Sequence, residues 1–280
     1  ALVRIGEPLG WWTVSRMGMI AAHYHLAALG FVTLTIVGVG SRMVPMFLFA
    51  QAAPSWPVRL IGPVAVVGLL VQAVGLVWTI HWATVTGGLV IAAAGVLIVL
   101  QLGLWFHHRS QRKVDHATAH LLASALFLTV TILAGLVLLF SPGRPDTRAW
   151  AVYGLLGILG WMTLFTVGIA YRIAPFLSWL HLFGGMGRGA HAPPAKALVH
   201  PGLAWSALAC FSGGVMLTAI GVQLGRTGLA ISGAMLVAAG AAGVAAQVVR
   251  GFLLWRGTPR DPQPVREPMR PRGRQLQVLT

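Results

Sequence analysis

The sequence predicts an all-α fold, a polytopic bundle of about seven transmembrane helices. Of its 280 residues, 57% are hydrophobic and only 9% are charged, whereas soluble domains carry about 25% charged residues. Seven apolar segments are each long enough to cross a hydrocarbon core about 30 Å thick, which takes about 20 residues of helix. Because lipid offers no water to the backbone, and because alternating barrel-strand patterns are absent, each segment is expected to be a helix.

Polar stretches separate the predicted helices and contain every acidic residue. A proton pathway built on buried carboxylates therefore has no candidate residue. The five acids are Glu7, Asp115, Asp146, Asp261 and Glu267. In chain order, the predicted spans are residues 15–40, 58–80, 84–106, 116–140, 149–177, 200–223 and 228–255.

The distribution of Lys and Arg predicts the orientation of the bundle. Fifteen of the twenty basic residues fall at one end, and the other end has only Arg4, Arg16, Arg144, Arg148 and Arg226. Cytoplasmic loops carry the excess of positive charge in membrane proteins. We therefore expect the amino terminus outside and the carboxyl terminus in the cytoplasm, which an odd number of helices requires.

The formal charge of +15 belongs to the loops and predicts contact with lipid rather than with nucleic acid. The basic residues sit beside apolar segments, where anionic headgroups attract them, so the lipid bilayer is the expected partner. Cys210 is the only cysteine. Cysteine-based zinc and iron–sulfur sites are thereby excluded, since they need several thiolates.

A shift of 130 residues reveals an internal repeat, the kind of period that marks duplicated architecture. Residues 1–110 form the first half, residues 111–255 a degenerate second half, and residues 256–280 a basic tail. The helix at 116–140 precedes the second copy, so a four-plus-four arrangement predicts an equivalent helix before the first. The identities are Gly30/Gly160, Thr33/Thr163, Gly38/Gly168, Arg42/Arg172 and Pro45/Pro175.

The tail, residues 256–280, is rich in Pro and Arg. Such a composition cannot bury enough apolar surface to fold alone. It becomes ordered most easily on a partner, so we expect it to contact other membrane subunits of a larger complex.

Two histidines lie inside the first apolar segment and are the main candidates for function. Ionisable groups within a membrane are costly and by default mark functional sites. His23 and His25 point about 200° apart on a helix, so they cannot chelate one metal ion together. Neutral imidazole is a common axial ligand of haem iron, and small neighbours leave room for the macrocycle. Hydrogen bonding of both histidines to neighbouring helices is the alternative.

The segment around these histidines resembles a helix of subunit I of the haem–copper oxidases, especially the cbb3 type. It is also similar to the NnrS membrane proteins, which are linked to nitric oxide and haem. The resemblance implies that His23 holds a high-spin haem and His25 a low-spin haem. It rests on Ala22-His23-Tyr24-His25-Leu26-Ala27-Ala28-Leu29-Gly30-Phe31, continuing through Gly38 to Pro45.

The sequence departs from the oxidase pattern in ways that argue against a binuclear catalytic centre. Tyr153 and Leu155 replace the two histidines in the second copy, so at most one half keeps the site. The adjacent pair His107-His108 follows the first segment instead of preceding it and is expected at the membrane interface. A single low-spin haem b on His25 is the use that remains.

The second axial ligand has several candidates. His120 lies inside a span, but its helix should begin at the opposite side of the membrane from His25. His81 is expected on the same side of the membrane as His25, but it is predicted in a loop. A histidine of another helix or chain is equally admissible. Arg42 either pairs with haem propionates or marks the end of its helix.

The expected function is thus a haem b subunit of a respiratory-type electron-transfer complex in a bacterial inner membrane, without catalysis of its own. A cofactor-free structural or assembly subunit is the first alternative. A protein for nitric-oxide response or metal handling, like NnrS, is the second. The localisation follows from the family resemblance alone.

Overall fold

The computed structural model describes residues 14–110, 113–141, 146–184 and 194–256. Within them, seven helices are long and apolar enough to cross a membrane. The prediction of an all-α transmembrane bundle is confirmed. The expected contact of the tail with partner subunits concerns residues that, from 257 onward, lie outside the described part of the chain.

The seven helices follow one another in chain order, and a short 3-10 helix, Ala195–Leu198, precedes the sixth. Two of them, α1 and α5, contain a central π-helical segment. The helices are α1 (Arg16–Leu48), α2 (Trp56–Val77), α3 (His81–His107), α4 (His116–Phe140), α5 (Thr147–Leu155, Leu156–Thr163 and Leu164–Phe183), α6 (Pro201–Gln223) and α7 (Thr227–Arg256).

Side-chain caps explain where several helices begin. Ser15 accepts a hydrogen bond from the backbone N–H of Gly18, which starts α1. Asp115 caps α4 and Asp146 caps α5 in the same manner. Such a cap satisfies one of the backbone donors that a helix leaves free at its amino-terminal end. Both acids within the described residues thus lie at helix starts.

Helices α1 and α5 extend beyond the predicted ends at residues 40 and 177. They continue through Pro45 and Pro175 to Leu48 and Phe183. Transmembrane helices tolerate an internal proline because the freed backbone groups find other partners. Helix α1 ends where Phe49 takes a left-handed conformation, with φ 52° and ψ 46°.

The π-helical segments occur at equivalent positions of the two halves. One covers Leu26–Thr33 and the other Leu156–Thr163, so their first residues, 26 and 156, are 130 positions apart. This is the shift that relates the two halves in sequence. Helices with this wider turn are rare and concentrate at functional sites. His25 is the residue directly before the first π segment.

Close packing joins the helices in pairs. Helix α2 lies against α3, and α6 lies against α7, with glycines at the points of contact. A side chain at Gly87 would overlap the backbone of Gln72, and one at Gly233 would overlap Thr218. Small residues permit this approach and are typical of helix association in lipid. Helix α4 packs along α5 and completes the bundle.

Candidate functional site

A cavity of about 270 Å³ lies among helices α1 to α5, toward the end of the bundle where α1 begins. Its wall is mostly apolar and contains no charged side chain. The cavity is close to the lower end of the range for small-molecule sites, about 300–1,000 Å³. We call it the His25 cavity; its polar lining includes His25, Thr33, Gln72, His81, Thr131 and Tyr153.

His25 enters this cavity with a defined tautomer. Its Nδ1 lies 2.8 Å from the carbonyl oxygen of Ala21, one turn earlier in α1. A carbonyl only accepts hydrogen bonds, so Nδ1 carries the proton and Nε2 keeps its lone pair. Metal-bound histidines commonly have this arrangement, in which the second nitrogen is fixed by a backbone carbonyl.

Tyr153 lies against the His25 ring. The ring centroids are 6.0 Å apart and the planes differ by 26°. Tyr153 occupies the position in α5 that His23 occupies in α1, counted by the repeat. Tyr153, from the second half of the chain, therefore forms part of the cavity wall beside His25, from the first half. The sequence comparison of the two copies did not predict this contact.

Gln72 is a functional candidate that the sequence analysis missed. It is 8% exposed, and its Oε1 has no hydrogen-bond partner within the described residues. Leaving a buried acceptor unpaired costs about 1–3 kcal/mol. In the sequence, Gln72 could have been recognised as the single side-chain amide in the apolar segment that forms α2.

His81 shares the cavity with His25, although the prediction that it lies in a loop was wrong. It is the first residue of α3, because the helix begins after Ile80, whose backbone is extended. The side chain is exposed at the end of the bundle and lines the same cavity. Two of the candidate imidazoles are thus brought to one site.

His23 faces another part of the molecule. It lines a groove of about 570 Å³ between α1 and α5, together with Phe31 and Met162, and it is exposed. A separation of two residues along a helix turns the side chains about 200° apart. His23 and His25 therefore serve different surfaces.

His120 lies outside the His25 cavity. It is 1% exposed in the first turns of α4, where Nδ1 lies 2.7 Å from the carbonyl oxygen of His116. Its ring packs on Tyr171 with centroids 5.0 Å apart. The part of α4 that lines the cavity begins at Leu128, eight residues or about 12 Å further along.

Arg42 is likewise remote from the cavity. It is exposed near the far end of α1, seventeen residues after His25. At about 1.5 Å per residue this is roughly 25 Å along the helix axis. Arg42 is therefore not part of the His25 cavity, which His25 and His81 line.

Clusters suited to a multi-ligand metal centre are absent from the residues that the structure describes. No three side chains of His, Cys, Asp or Glu come together there. His25 and His81 are the two imidazoles that line the His25 cavity.

Comparisons of the chain with protein-family models, with curated proteins and with solved structures found no match. The chemistry of the His25 cavity is therefore the basis for assigning a function.

Proposed function

We propose that the protein is an integral membrane subunit that binds haem b and takes part in electron transfer. His25 would be one axial ligand and His81 the second. The observation that carries the proposal is that both imidazoles line one cavity, with the Nδ1 of His25 held by a backbone carbonyl. When bound, the haem would supply one-electron transfer.

The residues around the cavity fit such a group in chemistry. Three glycines, Gly88, Gly95 and Gly135, lie in the wall, where the side chains of Leu139, Ile132 and Tyr153 pack against them. His81 is exposed at the end of its helix, so its side chain is free to adjust to a ligand. The cavity lining contains no Asp, Glu, Lys or Arg.

Electron transfer, rather than catalysis by this chain alone, agrees with the absence of carboxylates in the cavity wall. The role of His25 and His81 is to hold and orient the cofactor, and that of Gln72 is to offer its buried amide oxygen to a donor.

An optical spectrum tests the proposal. The protein purified from native membranes should show reduced-minus-oxidised bands of a b-type haem. His25→Ala and His81→Ala should each lower the haem content per protein, whereas His23→Ala should leave it unchanged. His23 is the matched control because it lies two residues away and faces the other groove. Equal haem loss in all three variants would contradict the assignment.

A cofactor-free structural subunit is the second candidate. It is favoured by the stacking of His25 on Tyr153, which closes part of the space between α1 and α5, and by the modest cavity volume. Purified wild-type protein without haem bands, together with His25→Ala protein of lower thermal stability, would support this alternative.

We further propose a place in the bacterial cytoplasmic membrane, with the arginine-rich end of the bundle in the cytoplasm. The tail would there meet other membrane subunits of the complex. A reporter fused after Thr280 that is active only in the cytoplasm tests the orientation. Activity of a reporter that needs the periplasm would reverse it.

A further inference from the structure

Helices α1 and α5 correspond through the repeat, but one face of α5 is covered and its counterpart on α1 is bare. Trp161 of α5 is 1% exposed, whereas Phe31, its counterpart in α1, is 74% exposed. The two residues stand at the same place in their π segments. The difference therefore arises from what packs on them.

Trp161 lies in the main core with residues of α1, α2, α3 and α4, and on the same helix α4 covers Gly160 and Gly168. A side chain at Gly160 would overlap the ring of Phe127, and one at Gly168 would meet His120 and Leu121. Both glycines are buried, so the helices touch along the length of the contact. Glycines at this spacing let two transmembrane helices approach closely.

The same two glycines on α1 have almost no neighbours. Space around Gly38 is open to 4 Å, and a side chain at Gly30 would meet only Leu69, at an ordinary contact distance of 3.4 Å. We call the surface formed by His23, Gly30, Phe31, Gly38 and Arg42 the α1 face. The groove of about 570 Å³ lies beside it.

Charge adds a second, independent observation. Arg172 donates to Asp115 Oδ1 at 2.8 Å, and Asp115 is the residue that caps α4. Arg42, the counterpart of Arg172, is exposed. The described residues contain two carboxylates, and both are taken: Asp115 pairs with Arg172, and Asp146 lies 3.9 Å from Arg148.

We propose that the α1 face binds a transmembrane helix from outside residues 14–256, built as α4 is built. It runs antiparallel to α1, begins with a carboxylate at its cap that pairs with Arg42, and places a large apolar side chain over Gly30. This inference does not depend on whether haem is bound.

Photo-crosslinking in native membranes tests the proposal. Position 31 is replaced by a benzophenone amino acid, and the adduct is identified by mass spectrometry. Position 126 on α4 is the control, because Leu126 is 65% exposed and lies on a helix already packed on its other side. We expect position 31 to give an adduct with an apolar helix that starts with Asp or Glu, and position 126 to give lipid adducts.

A charge variant completes the test. Arg42→Ala should lower the yield of the adduct at position 31 severalfold. Arg59→Ala should not, although Arg59 is also an exposed arginine, on α2 at the same end of the bundle. An adduct with residues 14–256 of a second copy would overturn the proposal. So would lipid adducts alone at position 31, or equal yields in the two arginine variants.

Discussion

Trp161 Nε1 donates a hydrogen bond to Thr33 Oγ1 across 3.3 Å, and this bond links the two π segments of the bundle. Thr33 is 5% exposed and Trp161 is 1% exposed, so the pair is buried between the halves of the chain. Thr33 also lines the His25 cavity. The contact thus connects the cavity to the main hydrophobic core, to which Trp161 belongs.

Removing this bond should weaken the attachment of the two halves. We expect Thr33→Val to lower the free energy of unfolding by about 1 kcal/mol, because the indole N–H loses its acceptor while volume is conserved. Unfolding in detergent, followed by circular dichroism, measures the change. Thr35→Val is the control, since its hydroxyl bonds only to the carbonyl of Phe31 on the exposed side. Equal losses in both variants would contradict the role of the Trp161 contact.

The Asp115–Arg172 pair should stabilise the start of α4 against α5. We expect Asp115→Asn to cost about 1.5–3 kcal/mol, because it keeps the helix cap but loses a charged hydrogen bond at a partly buried site. Asp146→Asn should cost less than about 0.5 kcal/mol, since that carboxylate and Arg148 are exposed. Thermal unfolding of the two variants in one detergent gives the comparison. A larger effect at Asp146 would refute the ranking.

The two equivalent glycines should respond oppositely to alanine. Gly160→Ala should destabilise by about 1–3 kcal/mol, because the new methyl group overlaps the Phe127 ring in a packed interface. Gly30→Ala should be neutral or stabilising by up to about 1 kcal/mol, because space is available and alanine favours helix. Both changes are read from unfolding midpoints of the protein purified alone. Similar losses at both sites would mean that the α1 face is less open than described.

The unpaired amide of Gln72 should be replaceable by an apolar residue of similar length. Gln72→Met should stabilise the ligand-free protein by about 1 kcal/mol, because a buried acceptor without a partner is removed. Gln101→Met should be the less favourable change, since Gln101 Nε2 donates to the carbonyl oxygen of Pro54 at 3.0 Å. If haem occupies the cavity, Gln72→Met should also lower haem retention during purification. A fall in stability of the ligand-free Gln72→Met protein would contradict the view that the Gln72 amide oxygen is unpaired.

The helices themselves could be predicted from the sequence because length and apolar composition are sufficient to define a transmembrane segment. The end of α1 could not, since a proline such as Pro45 stops a soluble helix but is accommodated here. His25 was identified as an intramembrane candidate because ionisable groups in lipid are rare.

The surroundings of His25 could not be predicted as fully. Whether Gln72 or Tyr153 faces lipid or a cavity depends on the neighbouring helices, which a single apolar segment does not define. The π segment after His25 adds to this difficulty, because its wider turn changes the rotational phase of every later residue in α1. His81 was placed in a loop because helix α3 starts three residues earlier than the apolar run suggests.

The uncharged wall of the His25 cavity limits what can reside there. No Asp, Glu, Lys or Arg lines it, so a guest with net charge would lie in an apolar medium without a counter-ion from the protein. An occupant without net charge, or one that keeps its charged groups beyond this lining, meets that condition, and the propionates of a haem b would have to lie beyond it.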